Sequence, residues 1–587
     1  MSTCGRALWL ILILALALGT RLSCLNVGLQ QDELGPLYAV AQRTDSGDET
    51  PSRADALRPV PSWRDVRARS ALPYGVVNPV PLYHYLLYAV VQVLPIAEWS
   101  LRLPSLLAGL ATVLAMSRLG RKMVGIEFGL IAAALTAVEP MQVTVSVLAR
   151  PYAFANLACV ISFIALLDIL YGSRRQVILG IFTYGIAVAL IGYFNPVLLL
   201  VTVAQMSFIA VWWWMPTPGV ARQVLRPVAF VAGAGLGALL FLPELGCFRE
   251  IQHFAGTHRK YLDLMIIPRP YILVPFLHNL TLLVALFARS STRTVAGMWL
   301  PPGETQLRQA EPRNPQMVRL AWYWLLAPQA AAILVAIFAA KSSMISRYLT
   351  YVNLGGVLVL ALGIVRVKAP AVRIAMTAMV AGMMALWGST ILGRGLGLET
   401  PNYPRQLVQR LDQFEQAGRW RSGDAVVLRG AFLEADFVPD LLPAATEKEV
   451  EGVIASPLTT LYVPETRKPL VVLSVSNRWG DKVLSGPQSA AYQPERFYTP
   501  ALAEKLGGYK RLWLCDGLWK RQDYMNAFLL WLANSLQAEL RVTVDAGSAE
   551  QVFAVTPGMD PDNLSVKPHE DSPLLPATIT LIEILRP

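Results

Sequence analysis

Charge is scarce in this chain of 587 residues: Asp, Glu, Lys and Arg make up 16% of it, where ordinary soluble domains carry about a quarter. With 54% hydrophobic residues beside that low charge, a water-soluble globule is excluded and an integral membrane protein is expected. Cysteine is scarce too. Cys4, Cys24, Cys159, Cys247 and Cys515 show neither paired nor metal-like spacing, which excludes a disulfide framework and a cysteine metal cluster. The net charge is +11, but the basic residues form no tract with interleaved aromatics, so nucleic acid is not an expected partner. There is no P-loop and no GxGxxG after a strand, which leaves a nucleotide site unsupported.

What the chain does have is long apolar runs. They cover 7–24, 101–117, 128–147, 153–171, 177–193, 196–215, 227–245, 271–288, 319–340, 348–365 and 373–393, about eleven spans at roughly twenty residues each. The first run, with Arg21 after Ala7–Thr20, reads as an uncleaved helix rather than a signal peptide. If the N-terminus is cytoplasmic, the inside loops carry Arg118, Arg121 and Lys122; Arg174 and Arg175; Arg222 and Arg226; Arg289, Arg293, Arg308, Arg313 and Arg319; and Arg366, Lys368 and Arg373. That is the distribution the positive-inside rule requires, and basic loops also suit anionic lipid. An odd span count puts the C-terminal region outside, on the face of the first loop. Residues 80–95, apolar but broken by His84 and Gln92, are expected to form an interfacial helix in that loop.

From Gly395 onward the sequence is mixed. Short β-branched runs at Ala425–Leu428, Leu470–Val475, Leu512–Cys515, Leu540–Val544, Val552–Val555 and Ile579–Leu585 alternate with helical periodicity, as between Tyr524 and Gln537. An α/β domain is expected. The chain therefore reads as an α-helical polytopic membrane body over 1–394, of about eleven or more transmembrane helices. Its first outer loop covers about 25–100, and an extracytoplasmic α/β domain follows over 395–587.

Two carboxylates, Asp32 and Glu33, follow the first apolar run by about eight residues, before a long polar loop. An acidic pair is by itself an ordinary solvated turn, but three stretches give it context. The first is Arg21 followed by Gln31-Asp32-Glu33-Leu34-Gly35-Pro36-Leu37-Tyr38-Ala39. The second runs from Asn78-Pro79-Val80-Pro81-Leu82-Tyr83-His84-Tyr85 through Glu98-Trp99-Ser100-Leu101-Arg102-Leu103-Pro104 to Gly120-Arg121-Lys122. The third is Ala149-Arg150-Pro151-Tyr152-Ala153, with Ser346-Arg347-Tyr348-Leu349 in a similar position at a later span. Together they resemble the polytopic GT-C glycosyltransferases, the superfamily of protein mannosyltransferases and lipid A aminoarabinose transferases.

The resemblance implies an inverting transfer of a sugar from a polyprenyl-phosphate donor to an acceptor that is a lipid, a glycan or a protein. It implies Asp32 as general base and Glu33 as its support. A leaving phosphate calls for positive charge where its own charge develops. Arg150, ahead of Pro151 at a helix start, fits that need with Tyr152, as do Arg347, Tyr348 and Lys341. His253, His258, Arg259 and Lys260 lie on another predicted outer loop. The bland readings are snorkelling anchors for Arg347 and Lys341, a solvated face for the two histidines, and structural packing for Arg102 and His84. Family members with a second acid near Arg150 carry it where Ala155 or Asn156 stands here, which leaves a second carboxylate and a divalent cation open. Two readings from other classes stand beside the enzyme. One is a transporter or flippase of a lipid-linked anion, which should place charge in mid-span. The other is an inactive membrane scaffold.

Overall fold

The computed structural model describes residues 3–22, 24–25, 33–43, 57–71, 82–214, 225–244, 315–339, 350–367, 369–393, 412–421, 423–429, 469–472, 500–517, 522–545, 550–560 and 577–585. Along the chain these form α1 (Thr3–Leu22), α2 (Leu34–Val40), β1 (Ala41–Arg43), β2 (Leu57–Pro59), α3 (Trp63–Ala71), α4 (Leu82–Val91), α5 (Glu98–Met123), α6 (Ile126–Val138), α7 (Pro140–Ser146), α8 (Tyr152–Tyr171) and α9 (Arg174–Phe194). Next come α10 (Val201–Trp214), α11 (Leu225–Phe241), α12 (Pro315–Ala339), α13 (Val352–Val365) and α14 (Pro370–Gly393). The C-terminal part adds β3 (Ala425–Arg429), β4 (Pro469–Val472), α15 (Pro500–Gly507), β5 (Arg511–Gly517), α16 (Gln522–Leu536), β6 (Glu539–Asp545), β7 (Glu550–Val555) and β8 (Ala577–Leu585). Two compact units result, one of residues 1–26, 75–87 and 99–397, the other of 27–74, 88–98 and 398–587.

The first unit is a bundle of apolar helices. Among the described residues five are long and apolar enough to cross a membrane, and six if α6 and α7 count as one broken span; this is a multi-pass membrane protein. Ten of the eleven expected blocks coincide with described helices, and the block at 271–288 lies outside the described residues. The block at 128–147 needs correction, because the chain bends by 62° between α6 and α7 instead of running straight. Shorter helices such as α13, of 14 residues, also leave the count of eleven unconfirmed.

Small residues let the helices close up. On Gly129 of α6 a Cβ would sit 2.4 Å from the Ser117 carbonyl of α5, so only glycine permits this crossing. Ile13 and Ala17 of α1, Val113 of α5 and Ala133, Ala137 and Val138 of α6 form one buried cluster. At one rim of the bundle Lys122 pairs with Asp168, Arg373 with Glu127 at 2.9 Å, and Arg226 donates to the Ile169 and Gly172 carbonyls at 2.8 and 3.0 Å. These are the C-terminal ends of α5 and α8 and the N-terminal ends of α6, α11 and α14. The opposite helix ends carry the polar cluster described below.

The second unit holds a six-stranded sheet in the order β4-β3-β5-β8-β6-β7. β4, β3 and β5 pair in parallel, and the remaining pairs are antiparallel. The α/β expectation holds, because alternating apolar residues bury one face of the sheet. Leu512, Leu514, Leu540, Val542 and Ile582 pack with Phe528, Leu529 and Leu532 of α16 in one core. The same unit contains α2, the antiparallel pair of β1 and β2, and α3.

Candidate functional site

The candidate site is built where α6 ends. Pro140 has no N–H to donate and its ring disfavours helical backbone in the residue before it; Glu139 accordingly takes φ −61°, ψ 122°. The helix stops there and restarts with Pro140 in its first turn, a position that tolerates proline. The Glu139 carboxylate caps the new helix, Oε2 accepting from the Gln142 N–H at 2.7 Å. After seven residues α7 ends at Ser146. The chain turns through Val147-Leu148-Ala149, the Arg150 N–H reaching the Leu148 carbonyl at 2.8 Å, and α8 begins behind Pro151.

Arg150 is buried, with only 2% of its surface exposed. Its Nη2 donates to Tyr152 Oη at 3.2 Å and the guanidinium lies 5.4 Å from the centre of that ring. Among the described residues its Nε and Nη1 have no hydrogen-bond partner. The Arg150 carbonyl accepts from Ser105 Oγ of α5 at 2.9 Å, and Ser105 meets Tyr83 of α4 at 3.0 Å. His84 is buried next to it; burial, helped by the Arg150 charge, pushes its imidazole down to about 3, so it stands neutral at physiological pH. A buried guanidinium with spare donors is costly unless an anion completes it, and a planar fork of N–H groups suits a phosphate.

One turn away lies a second polar group. Arg21, fully buried at the end of α1, donates from Nη1 to the Ala17 and Ala137 carbonyls at 2.8 and 2.7 Å and from Nε to Ser146 Oγ at 2.7 Å. It thus ties the last turns of α1 and α6 together and covers a bare carbonyl, Ala137, at the C-terminal end of α6. Gly109 of α5 makes room for this contact: a Cβ there would lie 2.4 Å from Ser146 Cβ and 3.7 Å from Arg21 Nε. Glu139 Oε1 accepts from Asn353 Nδ2 of α13 at 2.9 Å. Gln142 donates to the Thr350 carbonyl at 2.9 Å and accepts from Asn156 at 3.1 Å, and Thr350 Oγ1 donates to Asn156 Oδ1 at 3.1 Å.

Of the residues singled out from sequence, Arg150 and Tyr152 are brought together. Glu33 is fully buried at the head of the seven-residue α2, in the second unit. Asp32, Lys341, Arg347, Tyr348, His253, His258, Arg259 and Lys260 lie outside the described residues. Arg102 donates to the Cys24 and Leu25 carbonyls at 3.1 and 3.0 Å. Among the described residues no group of three or more His, Cys, Asp or Glu converges to hold a metal. The sequence reading missed Glu139. Its signal was a Glu-Pro pair in the middle of an apolar run, where a straight span has no use for either residue.

No protein-family model matches this chain, and no curated protein does. Among solved structures it is similar to ArnT from Cupriavidus metallidurans in the apo state, at 11% identity over 87% of this chain and 93% of that one, with a TM-score of 0.45. The same protein bound to undecaprenyl phosphate matches at 13% identity over 79% and 76% of the two chains, with a TM-score of 0.41. The Archaeoglobus fulgidus oligosaccharyltransferase tethered to an acceptor peptide matches at 11% identity over 94% and 74%, with a TM-score of 0.41. At these scores the likeness gives no residue a role.

Proposed function

We propose that this protein is a GT-C type glycosyltransferase that moves a sugar from a polyprenyl-phosphate carrier to an acceptor at the outer face of the plasma membrane. The observation that carries this reading is Arg150, buried beside Tyr152 with two guanidinium nitrogens unpartnered among the described residues, at the head of an apolar helix. That is a place where a lipid keeps its chain among helices and its phosphate against a cation. The quoted motifs support the same reading.

In the reaction, Asp32 takes the proton of the acceptor hydroxyl as its oxygen attacks the anomeric carbon. The bond from that carbon to the phosphate oxygen breaks, and the configuration inverts. The electron pair leaves with the polyprenyl phosphate, whose growing charge Arg150 receives. Glu33 supports the base, and Arg347, Tyr348 and Lys341 supply further donors to the phosphate. The α/β domain stands outside the membrane on the acceptor's side, together with the loop that carries Asp32.

The test is incubation of the purified protein in detergent with a panel of polyprenyl-phosphate sugars, with and without chelator. Product should form with one donor, and Asp32→Asn should abolish it while the protein stays folded. Full activity in that variant would remove Asp32 from the mechanism; no product and no donor hydrolysis across the panel would remove the reaction.

A further inference from the structure

The helix α7 has only seven residues, far below the length at which a helix is stable by itself, about 12–15 residues. Three neighbouring segments hold it through buried polar contacts. Arg21 of α1 holds Ser146 at its end, at 2.7 Å. Asn156 of α8 holds Gln142 at 3.1 Å. From the head of α13, the Thr350 carbonyl takes Gln142 at 2.9 Å and Asn353 holds Glu139 at 2.9 Å. Both oxygens of Glu139 are engaged as acceptors, one capping α7 and the other reaching α13. Only Val147, Leu148 and Ala149 separate the end of α7 from Arg150, so any shift of α7 moves the guanidinium.

We infer that Glu139 is a positioning residue: it latches α7 to α13 and so fixes Arg150 for the donor phosphate. The inference rests on the donor reading proposed above and adds a residue to it. Glu139 acts here through its two acceptor oxygens and gives or takes no proton in the reaction. A glutamine keeps an acceptor for the cap and brings an amide that can face Asn353 Oδ1, which has no partner among the described residues. An alanine keeps nothing. Buried polar networks of this kind specify one arrangement only when all members are present.

The experiment measures binding of undecaprenyl phosphate, and donor KM and kcat, for wild type, Glu139→Gln, Glu139→Ala and Asn353→Ala in detergent. The latch predicts that Glu139→Ala weakens lipid-phosphate binding and raises donor KM by about tenfold or more, the size expected on losing a charge-assisted hydrogen bond. Glu139→Gln should stay within about threefold of wild type, and Asn353→Ala should fall between them, since it opens the α13 side and leaves Glu139 in place. Two results overturn the inference: Glu139→Ala indistinguishable from wild type, or Glu139→Gln as inactive as Glu139→Ala with binding intact, which would make Glu139 an acid of the reaction itself. If the wild type binds the lipid phosphate yet transfers no sugar, the reaction is refuted and the binding ratios still decide the latch. If it binds no lipid phosphate, both fall.

Discussion

Two buried arginines, one in each unit, show the same two unsatisfied atoms and mean different things. Arg511 in β5 is 8% exposed and Arg150 is 2% exposed, and in each the Nε and Nη1 lack a hydrogen bond among the described residues. Arg511, however, has Asp424 at 3.6 Å and Glu583 at 3.7 Å, donates from Nη2 to the Arg419 carbonyl at 2.8 Å, and lies 5.7 Å from the centre of the Trp513 ring. Its charge is balanced within the fold. Arg150 has a tyrosine hydroxyl and a neutral histidine around it, and among the described residues no carboxylate lies within 4.0 Å. The first is a completed structural ion pair, and the second is a buried charge that the described residues leave without a counter-ion.

The comparison breaks first at Arg150. Replacing it with leucine should lower kcat/KM for the lipid donor by about a hundredfold or more, the scale of losing a charge that stabilises a leaving group, while thermal unfolding stays level or rises. A loss of folded protein would put Arg150 in the structural class. The same replacement at Arg511 should do the reverse. It leaves Asp424 and Glu583 without their cation and should destabilise the α/β domain by about 3 kcal/mol, measured by denaturant or thermal unfolding.

A smaller effect sharpens the site. Gly109→Ala adds a methyl 2.4 Å from Ser146 Cβ, so α7 must move. Overpacking of this kind costs about 1–3 kcal/mol, and donor KM should rise while a Gly235→Ala control, with open space around it, changes little. A separate effect, read in stability and not in donor turnover, is a pH dependence from His84. Its ordinary value near 6.5 drops to about 3 in the fold, through burial and then the Arg150 charge, so between those values the unfolded chain binds more protons. His84 therefore contributes stability that is fully present above about pH 6.5 and is lost as pH falls toward 3. His84→Leu should flatten that part of the stability curve; an unchanged slope would show that the imidazole is not excluded from water.

Much of the architecture was legible in the sequence. Six strands and the helix before β6 could be read because β-branched alternation and helical periodicity are local signals, and the spans because length and apolarity are local too. The Arg150–Tyr152 pair was legible as a motif at a helix start. The latch was not. Its members are mostly neutral amides and hydroxyls that do not register as charge in an apolar run, and Gln142 meets Thr350 and Glu139 meets Asn353 across 208 and 214 residues of chain. Such pairing is set by how the helices pack, which no local window contains. Glu139-Pro140 was the one local trace, a break that a hydropathy average smooths over.

The most direct measurement is a titration of undecaprenyl phosphate against wild type and Arg150→Leu, both in detergent and both shown to be folded. Saturable binding by the wild type, weakened about tenfold or more in the variant, is the result expected of an arginine that holds the donor phosphate. Equal affinity in the two proteins would contradict it.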